Sequence, residues 1–144
     1  MKPSTVKLPE TLTMSLQATS EPRSIETAFD KLHRRVKNDN RRKFFGVINP
    51  GSESNNYRAC VATNDEFEIY KAGLEKYTIP GGNYVSATLK NWESNLKLIP
   101  ELFERLSEKQ LIDATRPFLE FYKSSKELVL YLPIIPREQQ LTLF

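Results

Sequence analysis

A single carboxylate among aromatic side chains is the feature of this sequence best suited to chemistry. Glu120 lies in a predicted strand, and a second predicted strand follows after the polar segment 124–127. If the connecting loop is centred between Ser125 and Lys126, Glu120 pairs with Tyr131. Side chains alternate along strands, so Glu120 then shares a face with aromatic residues. That face consists of Phe118, Glu120, Tyr122, Val129 and Tyr131.

A carboxylate framed by aromatic rings suits an organic cation. Each ring contributes a cation–π attraction of about 0.5–2 kcal/mol, and the negative charge selects positively charged ligands. The opposite face of the two strands is wholly apolar, and we expect it to meet the helices. That face consists of Leu119, Phe121, Leu130 and Leu132. A plainer interpretation is an exposed glutamate beside ordinary surface aromatic residues, which need no functional explanation.

Other residues offer little chemistry, and this narrows the function classes. Cys60 is the only cysteine and His33 the only histidine among 144 residues. An intramolecular disulfide and a cysteine-rich zinc site are therefore excluded, and a histidine-rich metal centre or a Ser-His-Asp triad lacks supporting residues. We expect no metal and no cofactor. The apolar runs are far shorter than the roughly 20 residues of a membrane helix, and no signal region opens the chain, so we expect a cytoplasmic protein.

Basic residues are concentrated near the middle of the first half, although the net charge is only +3. They are Lys31, Arg34, Arg35, Lys37, Arg41, Arg42 and Lys43. Such a cluster can contact phosphates, but basic residues in the last turns of a helix also complement its dipole. No recognition-helix pattern or aromatic RNA-binding motif accompanies them, so we expect no direct binding of nucleic acid.

The elements that would position these residues follow one order twice along the chain. In the first half, alternating apolar residues predict a strand over about 6–16. A helical stripe predicts a helix over about 25–37, with Ser24 as its N-cap. Two further strands are predicted near 44–49 and 57–63, on either side of a turn-rich segment.

The second half repeats this plan. A strand is predicted near 84–89, followed by a helix over about 96–110 with Pro100 in its first turn. Strands near 118–123 and 128–135 complete it.

The repeated plan predicts an α+β domain of two pseudo-symmetric strand–helix–strand–strand modules with antiparallel sheets. The modules cover about 5–64 and 75–135, and the polar connection 64–75 need not be a long linker. Neither module is large enough to be comfortable alone, so we expect the two to share one sheet system.

Three segments and one hairpin resemble the GyrI-like effector-binding domain, a family found in multidrug-sensing transcription activators and in stand-alone proteins. Segment 79–84 resembles the family's I-x-G-G-x-Y motif, and 116–122 its P-x-x-E-x-Y strand. Segment 130–134 resembles the closing I-Y-I-P-V strand. Segments 45–50 and 57–61 resemble the matching hairpin of the first half, so the resemblance spans nearly the whole chain.

The resemblance implies a pseudo-twofold fold over 1–136 with a central ligand cleft between the modules. In the drug-sensing relatives the glutamate of the E-x-Y strand, here Glu120, faces this cleft and meets cationic, aromatic ligands. Tyr131 of the closing strand would lie beside it, and we expect burial to raise the pKa of Glu120. The expected ligand-binding residues are Glu120, Tyr131, Phe118, Tyr122, Trp92 and Tyr57.

The resemblance also implies alternative functions. Some relatives hydrolyse electrophilic, cyclopropane-bearing toxins, and there Glu120 would be the catalytic residue. Others inhibit DNA gyrase, which would make gyrase a protein partner. Where the family often has a His-x-Gly turn, this chain has 88–92, and Trp92 either supplies a cleft wall or packs under the helix.

The C-terminal tail 137–144 carries a second resemblance. Its last five residues are similar to the peptide with which bacterial proteins dock on the replication sliding clamp. The docking residues would be Gln140, Leu141, Leu143 and Phe144. Apolar side chains of an extended peptide would fill a groove of the partner. Alternatively, the tail folds back onto its own domain.

Overall fold

Eight antiparallel strands form one sheet in the computed structural model, which describes residues 2–37, 39–49 and 56–140. The strands are β1 (Ser4–Leu8), β2 (Thr11–Ala18), β3 (Phe44–Ile48), β4 (Tyr57–Ala62), β5 (Glu75–Ile79), β6 (Gly82–Lys90), β7 (Phe118–Tyr122) and β8 (Glu127–Pro133). The α-helices are α1 (Pro22–Arg35), α2 (Glu66–Ala72), α3 (Leu98–Ser107) and α4 (Arg137–Gln140). Within the described ranges, no helix is both long and apolar enough to cross a membrane.

The sheet confirms the predicted α+β class with two similar halves. Elements β2-α1-β3-β4 recur in the same order as β6-α3-β7-β8. The strand order is β1-β6-β8-β7-β3-β4-β2-β5, so the two halves join through the pairing of β3 with β7 at the centre.

The outer strands link the two halves a second time. Strand β1 pairs with β6 up to Leu8 and Gly82, and β2 pairs with β5 from Thr11 and Ile79 onward. The two ladders therefore keep one continuous register across the gap at residues 9–10 and 80–81. The single strand predicted over 6–16 is therefore two strands, because Pro9 interrupts the pairing and lacks an N–H donor. A Cβ at Gly81, across the gap, would lie within 3.0 Å of the backbone of Leu8, Pro9 and Glu10, so only glycine fits this close approach.

Both long helices begin at different residues from those predicted. Helix α1 begins at Pro22 after Glu21, because proline suits the first turn, where its missing N–H costs nothing. The predicted cap at Ser24 is wrong. Ser24 lies inside the helix, and its hydroxyl accepts a hydrogen bond from the Thr19 amide at 3.0 Å. Pro100 lies in the first turn of α3, as predicted.

The connection between the halves contains α2, a helix that the sequence patterns did not predict. The Asp65 side chain caps it by accepting a hydrogen bond from the Phe67 amide at 3.0 Å, and Gly73 ends it at a φ of 66°. Arg42 of the basic cluster forms an ion pair with Glu68 of this helix. Arg35 donates to the Gly73 carbonyl oxygen at 3.2 Å, so two members of the cluster hold the fold together.

The two long helices pack on either side of the central strands β3 and β7. Helix α1 packs on β2 and β4, and α3 packs on β6 and β8. The helix side of β3 and β7, between α1 and α3, is called the central cleft below, after the cleft that the family resemblance implies; in this structure aromatic side chains fill it. Ile48 and Tyr122 lie on this side and contact the apolar clusters under both helices. A third apolar cluster fills the opposite face of the sheet.

Candidate functional site

Glu120 lies buried at the floor of the central cleft. Only 6% of its surface is exposed. Its Oε1 accepts hydrogen bonds from the hydroxyls of Tyr57 at 2.5 Å and Tyr122 at 3.0 Å. The two phenol oxygens are themselves 3.2 Å apart. One carboxyl and two phenols thus form a compact polar cluster inside an apolar surround.

Gly46 creates the space for this cluster. It lies on β3, directly opposite Glu120 on β7 and Ala59 on β4. A Cβ at this position would overlap with the hydroxyl and ring of Tyr57 and with the carboxyl of Glu120. Gly46 was not among the predicted site residues, although a glycine in the middle of a strand often marks such a close approach.

Aromatic rings cover the polar cluster from both helix sides. The Tyr122 ring lies between Phe29 of α1 and Trp92, with centroid distances of 5.1 and 5.2 Å. Phe29 also meets Tyr57 at 6.3 Å. Trp92 donates a hydrogen bond from Nε1 to the Ser124 carbonyl oxygen at 3.1 Å, so its ring lies beside the β7–β8 turn. Trp92 therefore forms the wall of the cleft on the α3 side.

The electrostatics of the cluster follow from burial. Burial raises the pKa of Glu120, and the hydrogen bonds from Tyr57 and Tyr122 offset part of this effect. Burial and the nearby carboxylate raise the pKa of both phenols well above the usual value, so they remain donors at neutral pH. Among the described residues, no lysine or arginine forms an ion pair with Glu120.

The predicted pairing of Glu120 with Tyr131 is wrong by one residue. Glu120 pairs with Leu130, and Tyr131 pairs with Leu119. The cause is the turn, in which the Ser124 hydroxyl accepts the amide hydrogens of residues 126 and 127 at 3.1 and 3.0 Å. Pairing is then centred on residue 125 itself and not between two residues, which moves every partner by one position.

The shift places Val129 and Tyr131 on the face opposite Glu120, and the helices cover the Glu120 face. Phe118, Glu120 and Tyr122 point toward the helices, although we predicted that they point away. Residues that share this face are Leu128, Leu130 and Leu132. Tyr131 lies on the opposite face, where its ring meets Tyr84 at 6.1 Å. A register shift of one residue places a side chain on the other face of the sheet. Tyr131, the expected neighbour of Glu120, therefore does not lie beside it.

The structure thus brings four of the five expected neighbours to the Glu120 side of the sheet. Tyr57, Tyr122 and Trp92 form or cover the cluster, and Phe118 lies two residues along β7 with its ring 5.3 Å from Phe103. Phe29 was missed, because its place in the stripe of α1 indicated only core packing.

Other expected sites gain no support from geometry. Gln140 ends the described part of the chain, where its Nε2 donates to the Ile135 carbonyl oxygen at 2.7 Å. Leu141, Leu143 and Phe144 lie outside the described residues, so clamp docking stays a prediction. Within the described ranges, no three His, Cys, Asp or Glu residues are placed to hold a metal ion.

Comparisons with known proteins identify the fold. No protein-family model and no curated protein matches the chain. Among solved structures, an integron cassette protein from the mobile metagenome of Vibrio cholerae matches with a TM-score of 0.64 at 15% identity, over 92% of this chain and 95% of that one. The structure of SAV2435 bound to tetraphenylphosphonium matches with a TM-score of 0.61 at 12% identity, over 96% of each chain.

A third solved structure, a hydrolase encoded by lin2189 from Listeria innocua, matches with a TM-score of 0.55 at 13% identity, over 93% of this chain and 92% of that one. At these identities the matches show a shared fold. The chain therefore has the mixed α+β architecture expected from its resemblance to the GyrI-like domain.

Proposed function

We propose that this protein belongs to the GyrI-like effector-binding family and binds aromatic organic cations at Glu120. The observation that carries the proposal is a buried carboxyl, surrounded by aromatic rings, with which no described lysine or arginine forms an ion pair. A buried charge is costly unless it is paired, and a ligand cation would provide the missing partner.

The surrounding rings define the class of ligand. Tyr122, Phe29 and Trp92 offer flat apolar surfaces that attract a cation through their ring electrons. The fold match to SAV2435, which was solved with tetraphenylphosphonium, gives an aromatic cation with which to begin.

Access to Glu120 requires a local movement. With only 6% of the residue exposed, a ligand reaches the carboxyl only after the Tyr122 ring or one of its two neighbours moves aside. Trp92 is the neighbour more easily moved. It lies in a one-turn 3-10 helix after Asn91, whose φ is 53°, whereas Phe29 lies inside α1. Segments of this kind, outside regular structure, open at lower free energy than packed helices.

A direct binding experiment tests the proposal. Trp92 is the only tryptophan of the chain, so its fluorescence should report a ligand beside Tyr122. Titration with tetraphenylphosphonium should give saturable quenching, with calorimetry as an independent measure. Glu120→Gln should weaken binding roughly tenfold or more, which corresponds to about 1.4 kcal/mol.

The matched control is Glu104→Gln, which removes an exposed carboxyl from α3 and should leave the affinity unchanged. Equal affinity of Glu120→Gln and the unmodified protein would refute recognition by this carboxyl. Circular dichroism of each variant separates lost binding from lost folding.

A second candidate function is hydrolysis at the same residue. Its support is the raised pKa of a carboxyl that two phenols position, a property of general bases, together with the fold match to a hydrolase. Incubation with an electrophilic cyclopropane separates the two functions. Mass spectrometry would show addition of water to the opened ring if the protein is an enzyme, and an unchanged compound if it only binds.

A further inference from the structure

The Glu120 cluster also has consequences for protons, because no lysine or arginine in the described part of the chain forms an ion pair with its carboxyl. We propose that a cation bound at Glu120 displaces a proton that the carboxyl holds in the free protein. The proposal rests on cation binding at this site. It adds that binding is an exchange of one positive charge for another, so that the buried cluster remains close to neutral in both states.

The residues that face the carboxyl from each neighbouring element support the exchange. Strand β4 contributes Tyr57 and β7 contributes Tyr122, both of which donate hydrogen bonds. The directly paired residues are Gly46 on β3 and Leu130 on β8, neither of which titrates.

The covering elements add rings to this environment. Helix α1 presents Phe29, and the turn before α3 presents Trp92. The nearest histidine is His33 of α1, which stacks on Phe44 at 4.2 Å. Phe44 is the β3 residue paired with Tyr122, so the imidazole packs over the end of the strand and not on the carboxyl. Among the described residues, the titratable groups in contact with Glu120 are thus two phenols that stay protonated near neutral pH.

The two neutral phenols can form hydrogen bonds with the carboxyl whether it is protonated or ionised. In the free protein a protonated carboxyl places no net charge in the apolar surround, and the phenols still bond to Oε1. When a cation enters, its charge favours the carboxylate, and the proton leaves to solvent. The same two hydrogen bonds then stabilise the carboxylate, so the exchange needs no rearrangement of the strands.

Proton release on binding is measurable. Calorimetric titration with tetraphenylphosphonium, in buffers of different ionisation enthalpy, gives the number of protons released per cation. As pH rises, the apparent affinity should increase by about tenfold per pH unit while the free carboxyl is protonated, and then level off. Release should approach one proton per cation at the acidic end and vanish on the plateau.

Two variants make the result specific to this carboxyl. Glu120→Gln should release no proton at any pH, whatever affinity remains, and Glu104→Gln should reproduce the unmodified curve. Tyr57→Phe removes a donor that favours the carboxylate, so the plateau should begin at a higher pH. A purely structural role of Tyr57 would lower affinity without moving this pH.

The failure of this exchange is distinguishable from the failure of cation binding itself. Saturable binding with a flat pH profile and no proton release would overturn the exchange and leave the proposed function intact. Absence of binding by the folded protein throughout the pH range would overturn both.

Discussion

Gly46 and Glu120 occupy matching positions in the two halves of the molecule. Each is the central residue of a five-residue strand, β3 or β7, and the two are paired directly with each other where the halves meet. At this point the first half has no side chain, and the second half has a carboxyl group. The fold can hold one buried carboxyl here because the matching residue has no side chain.

The phenols around the carboxyl show the same division. In the first hairpin Ile48 of β3 pairs with Tyr57, and in the second Tyr122 of β7 pairs with Leu128. Each half thus contributes one phenol, but from the opposite strand of its hairpin. A duplicated scaffold with different residues at its centre therefore produces one site and not two copies of a site.

The largest effect on stability should come from giving Gly46 a side chain, which removes the space beside Glu120. Gly46→Ala places a methyl group where the Tyr57 ring and the carboxyl lie, and we expect a loss of about 1–3 kcal/mol in the free energy of unfolding. It should also break the hydrogen bond between Tyr57 and Glu120. Urea unfolding measures the first effect, and tetraphenylphosphonium affinity the second.

A double variant sharpens this test. Tyr57→Leu gives the first hairpin the residue that the second has at Leu128, and it removes the ring that the Gly46→Ala methyl would meet. The double variant should be less destabilised than the sum of the two single variants, because the effects of substitutions at contacting residues are not additive. Strict additivity would show that the two positions are not coupled.

The next effect concerns the hydrogen bonds from the two halves. Tyr57→Phe deletes one donor to a buried carboxyl, and we expect a loss of about 0.5–1.5 kcal/mol in the free energy of unfolding. The matched control is Tyr70→Phe, which removes a hydroxyl from a residue that is 84% exposed and should change stability very little. Chemical unfolding of both variants decides the matter, and equal stabilities would argue that the Tyr57 bond contributes nothing.

A smaller effect should appear in the dependence of stability on pH. Burial raises the pKa of Glu120, so the folded protein binds this proton more tightly than the unfolded chain does. Its contribution to stability is fully present below the unfolded pKa of about 4.3 and is lost as pH rises through the folded pKa. The slope should reach at most about 1.4 kcal/mol per pH unit in that window.

Comparison with Glu120→Gln isolates this contribution. Glu68 acts in the opposite sense, because the hydrogen bond from Arg42 lowers its pKa and its contribution is lost as pH falls. When the unfolding free energy of the variant is subtracted from that of the unmodified protein at each pH, the contribution of Glu68 cancels and the contribution of Glu120 remains. A difference that does not decline with rising pH would contradict the raised pKa.

The sequence was sufficient for the repeated order of elements but not for the centre of the sheet. Apolar stripes and strand alternation predicted both long helices and the two hairpins, since each pattern is set by local periodicity. The register of β7 with β8 depends on how the Ser124 side chain closes the turn. The role of Gly46 depends on which side chains approach it from β4 and β7. The first is a choice of side-chain hydrogen bonds inside one turn and the second is a contact between distant residues, so neither could be predicted from spacing.

The smallest effect should come from the residue that this change of register removed from the site. Tyr131→Phe deletes a hydroxyl on the face of the sheet opposite Glu120, and we expect the affinity for tetraphenylphosphonium to change by less than about twofold. Tyr122→Phe deletes the same group on the cleft side and should weaken binding clearly, because it removes a hydrogen bond to the carboxylate. The pair compares the two faces of one hairpin with the same chemical change. If Tyr131→Phe proved the more damaging variant, the ligand would lie on the face of Tyr84 and Leu119, and the central cleft would lose its claim as the site.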